Sequence, residues 1–314
     1  MLVSQPLGGE AVRLLRRWGG SAAPKLLGAG MEGAVYEIGR DRVAKVWFSG
    51  SVDGLRRMAR FYDALAEKPF SFSVPRIVRV ETVDDRVITV ERRLTGDTLA
   101  SALAAGTVRS ADAYAMVVDV LAQLAASGEL PVGREQTVLG EDTPLYAAGE
   151  DFPAALARLV ARQVHRFGPV LARAVDDFEA KTAALAGRLR EADSGRRCVI
   201  HGDLFPGNVL VDGAGRSSAV LDWGFLTTVG DPVFDAAVTA SIFDMYGPGA
   251  PATERNLLER IADRMGYDPA GMLVYRAAYS LITANAYDPA GEDGHFAWCA
   301  AALGRPDITR ALLG

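Results

Sequence analysis

The spacing of apolar residues changes near residue 95, and this change limits what the chain can fold into. Before it, short apolar runs are separated by glycines and turn residues, a pattern typical of antiparallel strands. After it, apolar residues mostly recur at helical spacing. Strands followed by helices, instead of an alternation of the two, predict an α+β fold with two lobes. We place these lobes at residues 1–94 and 95–314.

The smaller lobe is predicted to hold a five-stranded sheet and two helices. The helices cover about residues 9–18 and 53–66. The strands are short apolar runs at about residues 25–27, 34–38, 43–48, 77–80 and 87–90.

The larger lobe is predicted to be mostly helical. One helix covers about residues 110–126. The periodic stretch 152–192 is either one helix or two helices broken near Gly168 and Pro169.

Composition narrows the class of protein. The chain has 314 residues, of which 49% are hydrophobic, and this is enough to build a large core. Its 34 basic and 39 acidic residues give a net charge of −5 without a basic cluster, so we expect no nucleic-acid partner. Two distant cysteines, Cys198 and Cys299, predict neither a disulfide framework nor a metal site. Without a leader-like N-terminus or a long apolar run, we expect a cytoplasmic protein without membrane contact, either a monomer or a homodimer.

A glycine pattern separates the first two predicted strands. Gly28, Gly30 and Gly33 match G-x-G-x-x-G-x-V, which allows backbone N–H groups to approach phosphate oxygens. A dinucleotide-binding loop would lead into a helix, whereas a strand follows here, and a plain hairpin turn is the simpler alternative. Lys45 stands alone in the next apolar run, where its ammonium group is either a solvated charge or a ligand for phosphates.

Three oxygen-bearing side chains lie close together in the second half of the chain. Asp203, Asn208 and Asp222 lie near glycines, next to short apolar runs. Asp and Asn beside Gly are also ordinary turn formers. One carboxylate can orient and deprotonate a hydroxyl, while an amide and a second carboxylate can hold Mg²⁺ against phosphates. With the glycine pattern and Lys45, these residues favour phosphoryl transfer over simple turns.

The two motifs resemble those of a known family. The patterns H-G-D-x-x-x-x-N from His201 and D-W-G from Asp222 resemble the catalytic and metal-binding loops of aminoglycoside phosphotransferase-like kinases, a branch of the protein-kinase superfold. The resemblance covers roughly residues 24–240 and implies a bilobed fold with a small antiparallel sheet lobe. It implies that Asp203 is the catalytic base, that His201 is structural, and that Asn208 and Asp222 bind Mg²⁺.

The resemblance further implies a nucleoside triphosphate, ATP or GTP, as phosphoryl donor. The residues implied to bind it are Gly28, Gly30, Gly33 and Lys45 at the phosphates, and backbone groups around Glu91 to Leu94, among them those of Glu91, Arg92 and Arg93, at the nucleobase. An acidic residue on the following helix usually holds the lysine in this family. Met58 stands near that position here, so we choose Asp63 over Asp53 and Glu67 as the partner of Lys45.

A later segment, G-D-P-x-x-D from Gly230, also resembles the family. Asp231 or Asp235 in this segment is expected to cap the next helix and brace the catalytic loop. Two departures from protein kinases disfavour a protein substrate, because Gly202 replaces the arginine of the catalytic loop and no Ala-Pro-Glu follows the metal loop.

The implied function is nucleotide-dependent phosphorylation of a hydroxyl on a small molecule. The preferred acceptor is an antibiotic, such as an aminoglycoside, a nucleoside or another natural product, modified for resistance or self-protection. The alternatives are a metabolic kinase for a sugar, a choline-like alcohol or a ketosamine, and a nucleotide-binding pseudokinase regulator. Candidate acceptor residues are Glu141, Asp142, Asp151, Asp244, Tyr246, Glu254, Tyr275, Tyr279 and Asp288.

Overall fold

The computed structural model describes residues 9–19, 24–30, 32–83 and 85–314, and their contacts divide the chain into two units. Unit 1 comprises the chain up to Asp97 together with Leu210–Leu221. Unit 2 comprises Thr98–Val209 and Asp222–Gly314. The division therefore falls three residues after the predicted boundary at 94, and it moves Leu210–Leu221, which sequence analysis placed in the larger lobe, into unit 1.

Unit 1 is built on an antiparallel sheet of five strands. In chain order these are β1 (Lys25–Ala29), β2 (Gly33–Glu37), β3 (Arg42–Trp47), β4 (Ile77–Val83) and β5 (Arg86–Arg92). Their order across the sheet is β1-β2-β3-β5-β4, so the last two strands form a hairpin that joins the sheet beside β3. The sheet predicted from the apolar runs is confirmed.

The two faces of this sheet differ in character. One face packs against helix α1 (Gly9–Trp18), in a buried cluster that contains Leu15 of the helix and Ala44, Val46, Ile88 and Val90 of the sheet. Because side chains alternate along a strand, Lys45 and its cross-strand partner Thr89 point to the other face. The Lys45 side chain is therefore on the face of the sheet opposite to the buried cluster with α1.

Helix α2 (Val52–Ala66) follows β3. Ser51 caps its first turn, since the Ser51 hydroxyl accepts a hydrogen bond from the Gly54 N–H at 3.0 Å. Phe61 and Leu65 are buried, and the helix packs against β4. Both helices predicted for this part of the chain are thereby confirmed.

Unit 2 is mainly helical. Its helices are α3 (Leu99–Ala104), α4 (Ser110–Ala126), α5 (Phe152–Leu171), α6 (Phe178–Ala192), α7 (Pro232–Ile242), α8 (Ala250–Met265), α9 (Pro269–Thr283), α10 (Gly294–Leu303) and α11 (Pro306–Leu313). Helix α7 is buried along its whole length, and α9 packs against α5, α6, α7, α10 and α11. These two helices therefore form the centre of the unit.

Short strands complete the chain. They are β6 (Asp97–Thr98), β7 (Cys198–Ile200), β8 (Val209–Val211), β9 (Ser217–Val220) and β10 (Thr228–Gly230). Strand β7 pairs with β10, while β6, β8 and β9 form a separate sheet. Among the described residues, no helix is both long and apolar enough to cross a membrane.

One helix boundary differs from the prediction. The stretch 152–192 does form two helices, but α5 continues past Gly168 and Pro169 and ends at Leu171. A proline in the last turn removes only one backbone donor, and the buried Leu171 keeps that turn packed against the core. The break between the two helices begins after Leu171 and ends at Asp177, whose φ of 55° places it in the left-handed region.

Candidate active site

The glycine pattern forms the hairpin between β1 and β2, and its glycines have different roles. The Gly30 N–H donates to the Gly33 carbonyl at 2.9 Å and closes the turn. A Cβ on Gly33 would lie 2.4 Å from the Val46 carbonyl oxygen, so the close approach of β2 to β3 requires glycine there. At Gly28 and Gly30 a Cβ would meet nothing within 4 Å. These two glycines leave open space beside the backbone, as a phosphate-binding loop requires.

Lys45 lies on the face of the sheet that α1 leaves uncovered. Its Nζ is 2.7 Å from a Glu32 carboxylate oxygen and 3.8 Å from the centre of the Trp47 ring. The Trp47 indole N–H donates to the Thr89 hydroxyl at 3.0 Å, and this hydroxyl donates to Glu91 at 2.7 Å. The lysine is thus held over the sheet by a carboxylate of the glycine-rich hairpin and by an aromatic ring that is itself hydrogen-bonded.

The other residues predicted to bind the nucleotide have different surroundings. Asp63 forms an ion pair with Arg76 at 3.4 Å, whereas the ion pair of Lys45 described above is with Glu32. Sequence reasoning missed Glu32, although its place inside the glycine pattern, in the turn between β1 and β2, is a usable signal. The pairing of Lys45 with Asp63 stays a prediction.

The segment Glu91 to Arg93 does not present all its side chains to one ligand. Arg92 follows Glu91 in β5, so its side chain points to the face opposite Lys45, where it lines a surface pocket with Trp18. Arg93 forms an ion pair with Glu37 at 2.9 Å. The N–H groups of Arg92 and Arg93 already donate to backbone carbonyls at 2.9 and 2.8 Å. Their role at a nucleobase also stays a prediction.

In unit 2, strand β7 leads directly into the predicted catalytic loop. His201 is fully buried, and its ring centre lies 4.5 Å from that of Trp223. Gly202 has a φ of +75°, and a Cβ there would lie 2.5 Å from the Cβ of Leu226. The Thr227 hydroxyl donates to the His201 carbonyl at 2.7 Å. His201 therefore holds the loop against the segment that follows Asp222, as the family resemblance implies.

Hydrogen bonds fix Asp203 and Asn208 relative to each other. The Asp203 N–H donates to His201 Nδ1 at 3.2 Å, and the Asn208 side-chain amide donates to the Asp203 carbonyl at 2.9 Å. Asn208 is buried. Because its NH₂ group is engaged by the loop, the orientation of its amide is set, and the amide oxygen is left to act as a metal ligand or hydrogen-bond acceptor.

Asp222 is the third of the oxygen-bearing side chains singled out in the sequence, after Asp203 and Asn208. It is exposed, has a φ of +60°, and precedes Trp223, whose ring packs against His201. Among the described residues, no group of three or more His, Cys, Asp or Glu is arranged to hold a metal. Asn208 and Asp222 carry oxygen atoms of the kind that Mg²⁺ prefers, and this ion is commonly held by one or two protein oxygens together with phosphates and water. Their role as its ligands stays a prediction.

Two aspartates of the G-D-P-x-x-D segment divide the expected roles between them. Asp231 caps α7, since its carboxylate accepts from the Val233 N–H at 2.8 Å, and it also accepts from Ser194 and from the Tyr275 hydroxyl. Asp235 accepts from the N–H groups of His201 and Gly202 at 2.9 and 2.8 Å. Capping and bracing are thus both confirmed, with Asp235 as the brace of the catalytic loop.

Asp235 gives a pH-dependent prediction. Burial raises the pKa of this carboxyl to about 6, although the two backbone hydrogen bonds oppose the shift. Because the folded-state pKa lies above the usual value of 3.8, the contribution of Asp235 to stability is full below that value and decreases as the pH rises to 6. The free energy of unfolding, relative to Asp235→Asn, should therefore fall by about 3 kcal/mol across this window.

Urea unfolding of the wild type and Asp235→Asn at several pH values measures this difference. Asp231, whose pKa burial also raises, is present in both proteins, so its titration cancels in the comparison. A difference between the two proteins that does not change with pH would contradict the prediction.

Most of the candidate acceptor residues have structural contacts. Those held by arginines, caps or turns are Glu141 with Arg162, Glu254 with Arg305, Asp151 at the start of α5 and Asp288 at two backbone N–H groups. Tyr275 is buried and donates to Asp231, and Tyr279 is buried as well. Tyr246, by contrast, is 61% exposed. Sequence reasoning missed His295, a buried partner of Tyr246, because a lone histidine carries no motif.

The two-unit fold, the glycine-rich hairpin and the loop around Asp203 define a kinase-type transferase. Such an enzyme transfers a phosphoryl group to a hydroxyl. The chain belongs to the phosphotransferase enzyme family, whose model matches residues 24–272. The match extends the resemblance seen in the sequence by about thirty residues, to include α8 and the first turn of α9.

Solved structures show the same fold. The aminoglycoside phosphotransferase APH(3'')-Id from Streptomyces rimosus ATCC10970 is 18% identical with a TM-score of 0.55, over 86% of this chain and 96% of its own. APH(2")-IIa, in a ternary complex with streptomycin and ATP, is 14% identical with a TM-score of 0.57, over 98% and 99%. Aminoglycoside 2'-phosphotransferase-IIIa, in complex with GDP, is 15% identical with a TM-score of 0.59, over 92% and 93%. The comparison with curated proteins found no match.

Proposed function

We propose that this protein is a cytoplasmic O-phosphotransferase that uses Mg²⁺ and ATP or GTP to phosphorylate a hydroxyl of an antibiotic-like small molecule. The observation that carries the proposal is the catalytic loop, in which Asp203 and Asn208 are hydrogen-bonded to each other and braced by Asp235. Structures with the same fold support the choice of ligands, since they are described in complex with ADP and streptomycin and with GDP and kanamycin.

The chemistry follows from the residues of the loop. The acceptor hydroxyl oxygen forms a bond to the γ-phosphorus, the bond from that phosphorus to the β,γ-bridging oxygen breaks, and a nucleoside diphosphate leaves. The Asp203 carboxylate orients the hydroxyl and takes up its proton. Asn208 and Asp222 would hold Mg²⁺, which neutralises charge on the phosphates when it is bound. Lys45 would pair with the phosphates in exchange for Glu32.

A coupled assay of nucleotide turnover tests the proposal. It would use Mg²⁺ with ATP or GTP and a panel of aminoglycosides, macrolides, nucleosides, sugars and choline. A rate stimulated by one antibiotic class supports the proposal, and mass spectrometry then identifies the phosphorylated hydroxyl. Stimulation by a primary metabolite alone would indicate a metabolic kinase. Nucleotide binding without turnover of any acceptor would indicate a regulator.

Lys45 provides a test of the donor site. Lys45→Ala is expected to weaken nucleotide binding about tenfold or more, because a charged hydrogen-bond donor to the phosphates is lost. Equilibrium titration with ATP and GTP measures this effect, and Lys68→Ala, in the turn after α2, is the control for removing a lysine from unit 1. If the two variants bind the nucleotide with equal affinity, Lys45 is not part of the donor site.

A further inference from the structure

Three arginines lie side by side across one end of the sheet in unit 1. Arg42 begins β3, and its cross-strand partner in β5 is Arg92. On the other side of Arg92, its N–H donates to the carbonyl of Arg76, one residue before β4, at 2.9 Å. All three side chains line one surface cavity of about 500 Å³. Together, Arg42, Arg92 and Arg76 form the arginine row.

The arginine row places like charges next to each other. Like charges that lie directly opposite each other on neighbouring strands destabilise a sheet. Neighbouring strands are about 4.8 Å apart, so the three residues lie within about 10 Å. The chain as a whole has a net charge of −5, so the row does not reflect a generally basic protein. The repulsion within the row is a cost to the free protein that a bound anion would remove.

The two outer arginines of the row have carboxylate partners, whereas the middle one has none among the described side chains. Arg76 pairs with Asp63 at 3.4 Å, and Arg42 lies 4.0 Å from Asp41, which also lines the cavity. Arg92 forms no ion pair with any side chain that the structure describes. All three arginines are exposed. Since exposed ion pairs contribute little to stability, the outer arginines can exchange their partners for a ligand.

A fourth arginine reaches the cavity through an irregularity in β4. The register between β4 and β5 shifts between Ile77 and Arg79. Consecutive side chains of a regular strand point to opposite faces, yet both Val78 and Arg79 line the cavity. A β-bulge redirects a side chain in this way. Arg79 pairs with Glu81 at 2.9 Å, so the four arginines face three carboxylates among the described residues, and the uncompensated positive charge is that of the middle arginine.

The cavity also has an apolar wall. Trp18, at the end of α1, lines it together with Val78 and the buried Val90. The Arg79 guanidinium lies 5.6 Å from the centre of the Trp18 ring. Small-molecule sites have volumes in this range and combine apolar walls with a few charged groups. A concave site of this size therefore suits a small anion better than the surface of a macromolecule.

We propose that the arginine row binds a phosphate group, either as free phosphate or as part of a small phosphorylated molecule. Guanidinium groups bind phosphate oxygens through paired, charge-assisted hydrogen bonds. Arg42 and Lys45 are three residues apart in one strand, so their side chains point to opposite faces of the sheet. The site is therefore separate from the proposed donor site at Lys45, and the proposed phosphoryl transfer uses none of the side chains of the row.

Isothermal titration without Mg²⁺ tests the site, with inorganic phosphate and phenyl phosphate as probes at constant ionic strength. The full chain carries Lys45→Ala, which removes the lysine of the proposed donor site. We expect both probes to bind this variant. Adding Arg92→Gln should weaken binding about tenfold or more, because a charged hydrogen-bond donor is lost. Adding Arg93→Gln instead is the matched control, since this neighbouring arginine pairs with Glu37 and should leave the affinity unchanged.

Thermal unfolding without phosphate gives a second measurement. Arg92→Gln should raise the midpoint by about 1 to 2 °C, because it removes repulsion from the arginines on both sides. Arg93→Gln breaks an ion pair and should not raise the midpoint. Phosphate should raise the midpoint of the Lys45→Ala protein, and this rise should be smaller when Arg92→Gln is added.

The two probes distinguish the sources of the phosphate group. Tighter binding of phenyl phosphate would indicate a phosphorylated organic ligand against Trp18, and equal binding would indicate free phosphate. Both results support the site where Arg92→Gln weakens binding. The inference is wrong if neither probe binds the Lys45→Ala protein, or if Arg92→Gln and Arg93→Gln leave equal affinities. Binding of hexaglutamate alone, lost in Arg92→Gln, would also overturn it and indicate an acidic protein partner. None of these measurements involves nucleotide turnover, so they are independent of the proposed function.

Discussion

Asp203→Ala is expected to lower the rate of phosphoryl transfer by about 10² to 10⁴-fold while nucleotide affinity stays unchanged. The side chain is the only part of Asp203 that the proposed reaction uses. Its N–H donates to His201 and its carbonyl accepts from Asn208, and both contacts belong to the backbone, so they survive the substitution. A large loss of rate with an intact loop would therefore report on the carboxylate itself.

The measurement compares kcat with the nucleotide dissociation constant for the same variant. Asp263→Ala, on the exposed face of α8, makes the same chemical change away from the catalytic loop and serves as the control. We expect the control to keep the wild-type rate. If both variants lower kcat by a similar, small factor, Asp203 is not the base. If Asp203→Ala weakens nucleotide binding as much as it lowers kcat, Asp203 belongs to the donor site instead.

Much of the architecture was predictable because local pattern and tertiary structure agree. The five strands of unit 1 contain short apolar runs separated by glycines and turn residues, and helices such as α4 have an apolar face at helical spacing. The break between α5 and α6 was predicted too early, because Pro169 is a strong local signal whose cost depends on its position within the helix. The assignment of Leu210–Leu221 to unit 1 depends on contacts between distant segments, such as the bridge between Ser73 and Ala219, which no local pattern records.

The contacts within the predicted catalytic loop follow from its local sequence. Asp203, Asn208 and Asp222 lie close in sequence and beside glycines, so short-range geometry brings the first two together. The contacts of Tyr246 and Tyr287 with His295 could not be predicted in this way, since the two tyrosines lie in separate loops and reach the histidine of α10 only through tertiary packing. Residues of a motif are thus visible in a sequence, whereas contacts between distant segments depend on tertiary packing.

Asp222→Asn is expected to reduce activity at limiting Mg²⁺ by about a hundredfold or more, because Asp222 would help to hold the ion, and a bound metal ion stabilises the transferring phosphates by several kcal/mol. Asparagine is the informative substitution. It has the shape of aspartate and tolerates the left-handed backbone that Asp222 adopts, with a φ of +60°, whereas alanine would add backbone strain to the loss of charge. Because Asp222 is exposed, we expect the substitution to leave folding unchanged.

Titration of nucleotide binding with and without Mg²⁺ separates the metal from the fold. Binding of Mg²⁺-nucleotide should weaken in Asp222→Asn, while metal-free nucleotide binds as it does to the wild type, and raising the Mg²⁺ concentration should restore part of the activity. Asp177→Asn is a matched control, since Asp177 is also exposed and left-handed, with a φ of 55°, but precedes α6. If both variants respond to Mg²⁺ as the wild type does, the metal is held elsewhere. Asp222 would then have a structural role in the turn and no role at the metal.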